Sequence, residues 1–149
     1  MKEYKESFPE VTLKYKTGEQ KKVKINSSTD SAKLFKTLFN ADTLEYSEEF
    51  IVMFLNRINN TLGWLKVSQG GTARTVVDAK MIFVAALKIG AHSIILAHNH
   101  PSGNLIPSEI DKSMTKKLID GGKLLDIRIL DHLIITEKSF YSFADEGIL

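Results

Sequence analysis

Two histidines and one aspartate in the second half of the chain are residue types that could hold a catalytic metal ion. His98 and His100 are separated by one residue, and Asp111 follows after a turn-rich segment. Two imidazoles and one carboxylate are the protein ligands of many catalytic zinc sites, where a water molecule takes the fourth position. The residue types and their spacing therefore predict a zinc site able to activate water for hydrolysis.

A buried strand must bring the two histidines to one point. The apolar residues 94–97 predict the end of such a strand immediately before His98. In extended backbone, residues two apart point to the same face, so His98 and His100 can reach one ion. Pro101 keeps His100 out of the helical region and so supports the extended form.

A tight loop and a helix start must then return the aspartate to the histidines. The segment 102–104, Ser-Gly-Asn, predicts a turn. Pro107 and Ser108 predict the start of a helix with Ser108 as its N-cap, which places Asp111 in the first turn. Ser108-x-x-Asp111 is equally the pattern of a capping box, so a purely structural role for Asp111 stays open.

With these residues assembled, the sequence resembles a known family. His-x-His-Pro-Ser-Gly followed by Pro-Ser-x-x-Asp is similar to the JAMM (MPN+) metalloprotease motif, in its bacterial RadC-type version. The resemblance extends over roughly residues 30 to 149. Its further matching segments are Glu48-x-Phe50, Gly70-Gly71-Thr72, Asp131-His132-Leu133-Ile134-Ile135 and Tyr141-Ser142-Phe143.

The resemblance implies both a fold and a chemistry. The fold is of the α/β class, with a mixed β-sheet flanked by helices in the MPN/JAB (cytidine-deaminase-like) architecture. The chemistry is zinc-dependent and isopeptidase-like, with His98, His100 and Asp111 as the metal ligands. Glu48 matches the family's general base, which takes a proton from the attacking water and returns it to the leaving amine. Ser108 matches a serine that donates a hydrogen bond toward the developing oxyanion.

Glu49 is a second candidate for the base, because it neighbours Glu48 in the same predicted strand. Neighbouring strand residues point to opposite faces, so only one of the two carboxylates can meet the activated water. Asp131 and His132 also match family positions, and they could orient the metal ligands by hydrogen bonding to them. We leave both outside the predicted ligand set.

The spacing of apolar residues independently favours the α/β class. Buried strands alternate with helices, which predicts a mixed sheet flanked by helices. We expect an N-terminal β-hairpin extension, residues 1–27, before a RadC-type JAB/MPN domain, residues 28–149. The predicted strands are 11–16, 22–25, 48–56, 62–69, 93–98, 125–130 and 132–136. The predicted helices begin at residues 28–30, Thr75 and Ser108, and the last two end at Gly90 and at Gly121-Gly122.

Composition limits the cofactors and partners. The chain has no cysteine, which excludes thiolate metal ligands and the Cys-x-x-Cys site of zinc nucleoside deaminases. The formal net charge of +2 does not support nucleic acid as a partner, although the lysines of residues 14–24 and 112–123 could form a surface for DNA. No apolar run is long enough to cross a membrane and no signal-peptide core begins the chain. We therefore expect a cytoplasmic protein without a membrane partner, of undetermined oligomeric state.

Together these patterns predict a zinc-dependent hydrolase of the JAMM type, in which metal-activated water cleaves a peptide or isopeptide bond of a peptide or protein substrate. One alternative stays open, namely a non-catalytic RadC-type module that binds DNA or protein assemblies in DNA repair. Metal content after purification, and hydrolysis that is sensitive to chelators, would distinguish the two.

Overall fold

A mixed β-sheet lies at the centre of the fold. The computed structural model describes residues 9, 14–16, 18–19, 21–70 and 76–149. The five strands in these ranges are β1 (Glu49–Leu55), β2 (Thr61–Gln69), β3 (Ser93–Asn99), β4 (Arg128–Ile135) and β5 (Phe140–Ser142). Their order is β2-β1-β3-β4-β5. Strands β3 and β4 are parallel, and every other neighbouring pair is antiparallel.

Three helices in the same ranges cover both faces of the sheet. Helix α1 (Ser28–Leu38) packs on one face, and α2 (Ala79–Lys88) and α3 (Glu109–Leu124) pack on the other. Because both faces are covered, β1 and β3 are buried along their whole length, as their continuous apolar sequence predicts. The predicted α/β class, with a mixed sheet flanked by helices, is confirmed.

Alternate residues of the central strands supply two apolar cores, one for each helical layer. The core under α1 includes Ala32, Phe35, Ile51, Met53, Ile95 and Leu133. The core under α2 and α3 includes Val52, Ile82, Ala86, Leu96, Leu118 and Ile129. His98 shares a face of β3 with Leu96, so its imidazole lies on the side of the sheet that α2 and α3 cover.

The C-terminal part of the sheet differs from the sequence prediction. The two predicted strands, 125–130 and 132–136, are replaced by the single strand β4 (Arg128–Ile135), which continues through Asp131, and residues 125–127 and 136 lie outside it. Asp131 does not interrupt the strand because its carboxylate is satisfied by donors from outside it, among them the Ser142 hydroxyl at 2.6 Å. The pairing of β4 with β3 contains a register shift. Ile94 pairs with Ile129 and the next residue, Ile95, pairs with Asp131, so Leu130 has no partner residue on β3. The last strand is β5, antiparallel to β4.

Helix α3 continues through the two glycines that were predicted to end it. It runs to Leu124, so Gly121 and Gly122 lie in its last turns. The reason is packing: a Cβ on Gly122 would lie only 2.3 Å from the carbonyl oxygen of Ile127. Gly122 thus allows the backbone after α3 to fold tightly against the helix, which brings the chain directly into β4.

Two helix starts also need correction. Residues 28–30, predicted to cap α1, form its first turn; the cap is Ser27, whose side chain accepts a hydrogen bond from the Asp30 N–H at 3.1 Å. Ser27 has extended backbone angles, which an N-cap requires, and the following residues are helical. Helix α2 is capped by Asp78. The predicted cap Thr75 lies outside the described residues.

The predicted N-terminal hairpin falls partly outside the described residues, because its first arm includes residues 11–13. In the second arm, Lys24 forms an isolated antiparallel bridge with Asn60. Gly71 and Thr72, which belong to one segment of the family resemblance, are also outside the described residues. Among the helices of the described ranges, none combines the length and the apolar character that crossing a bilayer requires.

Replacing Gly122 by alanine should destabilise the protein. Alanine normally stabilises a helix interior relative to glycine by about 1 kcal/mol. Here the added Cβ must displace the Ile127 backbone, and overpacking of this kind costs about 1–3 kcal/mol. Chemical denaturation measures the difference, with Gly63→Ala as the control because nothing lies within 4 Å of a Cβ there. A Gly122→Ala protein as stable as the wild type would contradict the packing explanation.

Candidate metal centre

The end of β3 holds His98 in a rigid setting. His98 pairs with Phe50 on β1 and with Ile134 on β4, and only 1% of its surface is exposed. Its imidazole stacks on the Phe50 ring, with a centroid distance of 6.1 Å and an interplanar angle of 8°. Strands on both sides and a stacked ring therefore fix the direction of the side chain.

His100 follows directly after the strand, and the loop beyond it sets its ring orientation. Its Nδ1 donates to the carbonyl oxygen of Asn104 at 2.6 Å. Gly103, with φ of 78°, supplies the left-handed conformation that lets the loop turn back at this point. Because Nδ1 carries the proton, a neutral His100 presents an unprotonated Nε2, and this atom lies 2.9 Å from Nε2 of His98.

Asp111 meets both imidazoles from the first turn of α3. Its Oδ1 lies 3.5 Å from Nε2 of His98, and its Oδ2 lies 3.5 Å from Nε2 of His100. Burial by itself would raise the pKa of Asp111, but the neighbouring His100 and His98 imidazoles and the Ser108 N–H hold that pKa well below its usual range. The carboxylate is therefore ionised.

The capping box and the approach of Asp111 to the histidines occur together. The Ser108 hydroxyl accepts from the Asp111 N–H at 3.1 Å, and the Asp111 carboxylate accepts from the Ser108 N–H at 2.8 Å. The cap thus holds the carboxylate in the direction of the histidines. The two interpretations of the Ser108-x-x-Asp111 pattern are compatible in this geometry.

Glu48 and Glu49 lie on different sides of the sheet. Glu48, just before β1, offers a carboxylate oxygen within 4.8 Å of ring nitrogens of His98 and His100. The Glu49 carboxylate is buried and lies 2.9 Å from the ammonium of Lys66. Glu49 is thus occupied elsewhere, and the alternation of strand side chains leaves Glu48 beside the histidines.

Asn99, the residue between the two histidines, connects them to the Glu48 segment. Its side-chain amide donates to the carbonyl oxygens of Leu44 and Ser47, both at 2.8 Å, and its oxygen accepts from the Glu49 N–H at 2.7 Å. Asn99 is fully buried. Sequence reasoning did not single it out, because its partners are about 50 residues away in the chain.

Two candidate ligand sets share the two histidines, one completed by Glu48 and the other by Asp111, and a divalent ion with an open position needs three protein ligands. Glu48, His98 and His100 form one group that could hold a metal ion, and Asp111 is equally close to both histidines. Ligands of a tetrahedral zinc are about 3.3 Å apart, given bond lengths of about 2.0–2.1 Å. The nitrogen–nitrogen and nitrogen–oxygen separations of 2.9 and 3.5 Å lie near that value. The nitrogen and oxygen donors also suit zinc chemically.

Behind His98 lies a second layer that the sequence analysis left unassigned. Nε2 of His132 is 2.8 Å from Nδ1 of His98, and Nδ1 of His132 is 2.6 Å from the Thr115 hydroxyl on α3. Burial holds the pKa of His132 well below its ordinary value, and the nearby His98 lowers it further. Thr115 was not singled out from the sequence, although it lies one helical turn after Asp111.

Asp131 points away from this site. Its carboxylate accepts from the Ser142 hydroxyl at 2.6 Å and from the N–H groups of Ala144 at 3.0 Å and His132 at 2.7 Å. Burial raises the pKa of Asp131, and these hydrogen bonds oppose the rise. Its contacts are those of a structural residue that joins β4 to the C-terminal turn.

Clefts open beside the histidines, and two of them share Glu48 and Asp111. The loop cleft, of about 550 Å³, is lined by residues that include Tyr46, His100, Ile106 and Ser108. The helix cleft, of about 570 Å³, is more apolar and is lined by residues that include Val76, Ile110 and Met114. Glu48 and Asp111 line both clefts, so the candidate site is open to solvent from two directions.

Comparison with known proteins agrees with this architecture. The family model for the RadC-like JAB domain matches residues 25–148. The chain belongs to the RadC family. The family match covers the whole sheet and all the donor groups that surround the candidate site.

Individual relatives come from bacteria and archaea. A UPF0758 protein of Flavobacterium johnsoniae is 48% identical over 125 residues, which are 84% of this chain and 53% of that protein. The UPF0758 protein YfjY of Escherichia coli is 40% identical over 68% of this chain and 64% of its own length. A UPF0758 protein of Methanosarcina mazei is 37% identical over 88% of this chain and 56% of its own length. The chain thus spans about half the length of the curated relatives it matches.

Replacing Ser108 by alanine should weaken the start of α3. Loss of an N-cap hydroxyl costs about 1 kcal/mol, because the Asp111 N–H loses its acceptor. Ser113→Ala is the matched control in the same helix, since Ser113 is exposed beyond the first turn and alanine has the higher helix propensity. Denaturation midpoints compare the two variants. Equal stability of both would show that the Ser108 cap does not stabilise the helix.

Proposed function

We propose that this chain is a zinc-dependent hydrolase of the JAMM type, which uses metal-activated water to cleave a peptide or isopeptide bond. The proposal depends on one observation. His98, His100 and Asp111 converge to within 3.5 Å of one another, with Glu48 beside them, and two clefts share Glu48 and Asp111. Membership of the RadC-like JAB domain family supports it.

In this proposal, His98, His100 and Asp111 are the metal ligands. Asp111 is preferred to Glu48 because the helix cap already holds its carboxylate and because it is the more buried of the two. Zinc held there would acidify a water molecule and polarise the carbonyl of the scissile bond. Glu48 stays free for another role.

Glu48 is proposed as the general base. Its carboxylate lies close to the histidines and is only partly buried, so it can adjust its position during a reaction. It would accept a proton from the attacking water and later donate it to the leaving nitrogen. Asn99 holds the preceding loop and the start of β1, which positions Glu48 for this task.

Ser108 is proposed to bind the oxygen of the scissile carbonyl as negative charge develops on it. Its hydroxyl accepts from the Asp111 N–H, and an accepting hydroxyl still has its own proton to donate. The side chain lines the loop cleft beside Asp111. Donation to an oxyanion can be worth about 3 kcal/mol in the transition state.

A peptide or protein is the proposed substrate. The two clefts share Glu48 and Asp111 and differ in their other lining residues, so an extended chain could lie in both with its scissile bond between them. The helix cleft would take an apolar side chain, because Val76 and Ile110 are largely exposed along it.

Zinc should stabilise the folded protein through the histidine ligands. A ligand that binds only the folded state adds about 2.7 kcal/mol to its stability at a concentration about 100-fold above Kd. We expect a rise in the thermal midpoint for the wild type and no rise for His100→Ala. His92→Ala is the control, because His92 is exposed at the opposite end of β3. Equal stabilisation of wild type and His100→Ala would place the zinc elsewhere.

Glu48→Gln should abolish most of the hydrolysis while zinc binding persists. Loss of a general base lowers kcat about 10²- to 10⁴-fold. Zinc-loaded wild type and variant are compared on peptides and on isopeptide-linked lysines, with Glu45→Gln as the control because Glu45 is an exposed acid of the same loop cleft. Unchanged turnover in Glu48→Gln would refute the base assignment. Absence of turnover in the zinc-loaded wild type would favour a binding module.

A further inference from the structure

A chain of buried hydrogen bonds connects His98 to helix α3. Nδ1 of His98 lies 2.8 Å from Nε2 of His132, and Nδ1 of His132 lies 2.6 Å from the Thr115 hydroxyl. That hydroxyl in turn donates to the backbone carbonyl of Asp111 at 2.6 Å. All three side chains are at least 98% buried.

The carbonyl of Asp111, at the end of this chain of hydrogen bonds, fixes which atom donates in each of them. A carbonyl oxygen can only accept, so the single hydroxyl proton of Thr115 is directed to Asp111. The hydroxyl oxygen must then accept from His132, which places a proton on Nδ1 of that ring. A neutral imidazole carries one such proton, so Nε2 of His132 is an acceptor.

His132 is neutral because burial disfavours its cation more strongly than the nearby Asp111 charge favours it. It is fully buried, its ring stacks on Phe143 at a centroid distance of 4.6 Å, and the Phe50 ring lies at a centroid distance of 5.6 Å with an interplanar angle of 65°. Burying an unpaired charge in such surroundings is costly. Nε2 of His132 therefore accepts a hydrogen bond from Nδ1–H of His98.

We propose that Thr115 and His132 are positioning residues that select the tautomer of His98. With its proton on Nδ1, His98 presents an unprotonated Nε2 to the point where His100 and Asp111 also converge. The inference rests on the proposed function only in taking His98 as a metal ligand. The same hydrogen bonds join this ligand on β3 to the backbone of the ligand on α3.

Removal of the Thr115 hydroxyl should reverse the tautomers. In Thr115→Val the Nδ1–H of His132 loses its acceptor, so a proton on Nε2, facing His98, becomes the better arrangement. Nδ1 of His98 must then accept, which moves the His98 proton to Nε2 and obstructs metal binding. Loss of such a supporting group typically lowers metal affinity about 10- to 100-fold. Thr115→Ser retains the hydroxyl and should restore the wild-type affinity.

Two measurements test the proposal on the full chain. Histidine ring ¹⁵N NMR of the metal-free protein reports which nitrogen of His98 carries the proton, and competition with a chromogenic chelator reports zinc affinity. We expect Nδ1–H in wild type and Thr115→Ser, and Nε2–H with weaker zinc binding in Thr115→Val. Urea denaturation of the metal-free variants separates these effects from loss of folding.

Several outcomes would overturn the proposal. A wild-type His98 with its proton on Nε2 would refute the proposal by itself. This measurement needs no variant, so it decides the question even if the Thr115→Val protein does not fold. An unchanged His98 tautomer in folded Thr115→Val, or a reversed tautomer with unchanged zinc affinity, would also refute it. Failure of the wild type to bind zinc would instead contradict the proposed function, while the NMR result would still decide the tautomer.

Discussion

The parallel pairing of β3 with β4, with α3 as the connection, is the constraint on which the site depends. A connection between parallel neighbours must cross the sheet, and here it crosses on the face where His98 and His132 point. The crossing brings the first turn of α3 back over the end of β3. Asp111 consequently reaches the two histidines although a loop separates them in the chain.

Helix α3 is held in place at both ends. At its start, the reciprocal hydrogen bonds of Ser108 and Asp111 satisfy backbone N–H groups that no helical carbonyl can reach. At its end, Gly122 permits the close approach of Ile127. A carboxylate in the first turn is also favoured by the helix dipole, so the charge that suits a cation costs the helix nothing.

Buried polar groups around the site illustrate how neighbours in one strand serve different purposes. Glu48 faces the histidines, whereas Glu49 faces Lys66. His132 contacts His98, whereas Asp131 binds the C-terminal turn. The two residues of each pair are adjacent in the chain, so their side chains point to opposite faces of the sheet. One side chain therefore reaches the candidate site, and the other stabilises the fold.

The sequence by itself determined the features that depend on neighbours in the chain. These are the α/β class, the extended histidine pair, the turn at Gly103 and the cap at Ser108, since each follows from spacing or local backbone preference. Family resemblance added Glu48 as a candidate base. Errors arose at Gly121-Gly122 and at Asp131, where residues that normally interrupt an element are tolerated because distant groups pack against them or satisfy them.

Only the tertiary structure decided which distant side chains surround the histidines. Asn99 binds Leu44 and Ser47, and His132 joins His98 to Thr115, through contacts between residues that are far apart in the chain. No local pattern specifies such contacts, because they depend on strand order, register and the face that a helix covers. The sequence therefore indicated the donor types, and the packing of β1, β3, β4 and α3 decided their arrangement.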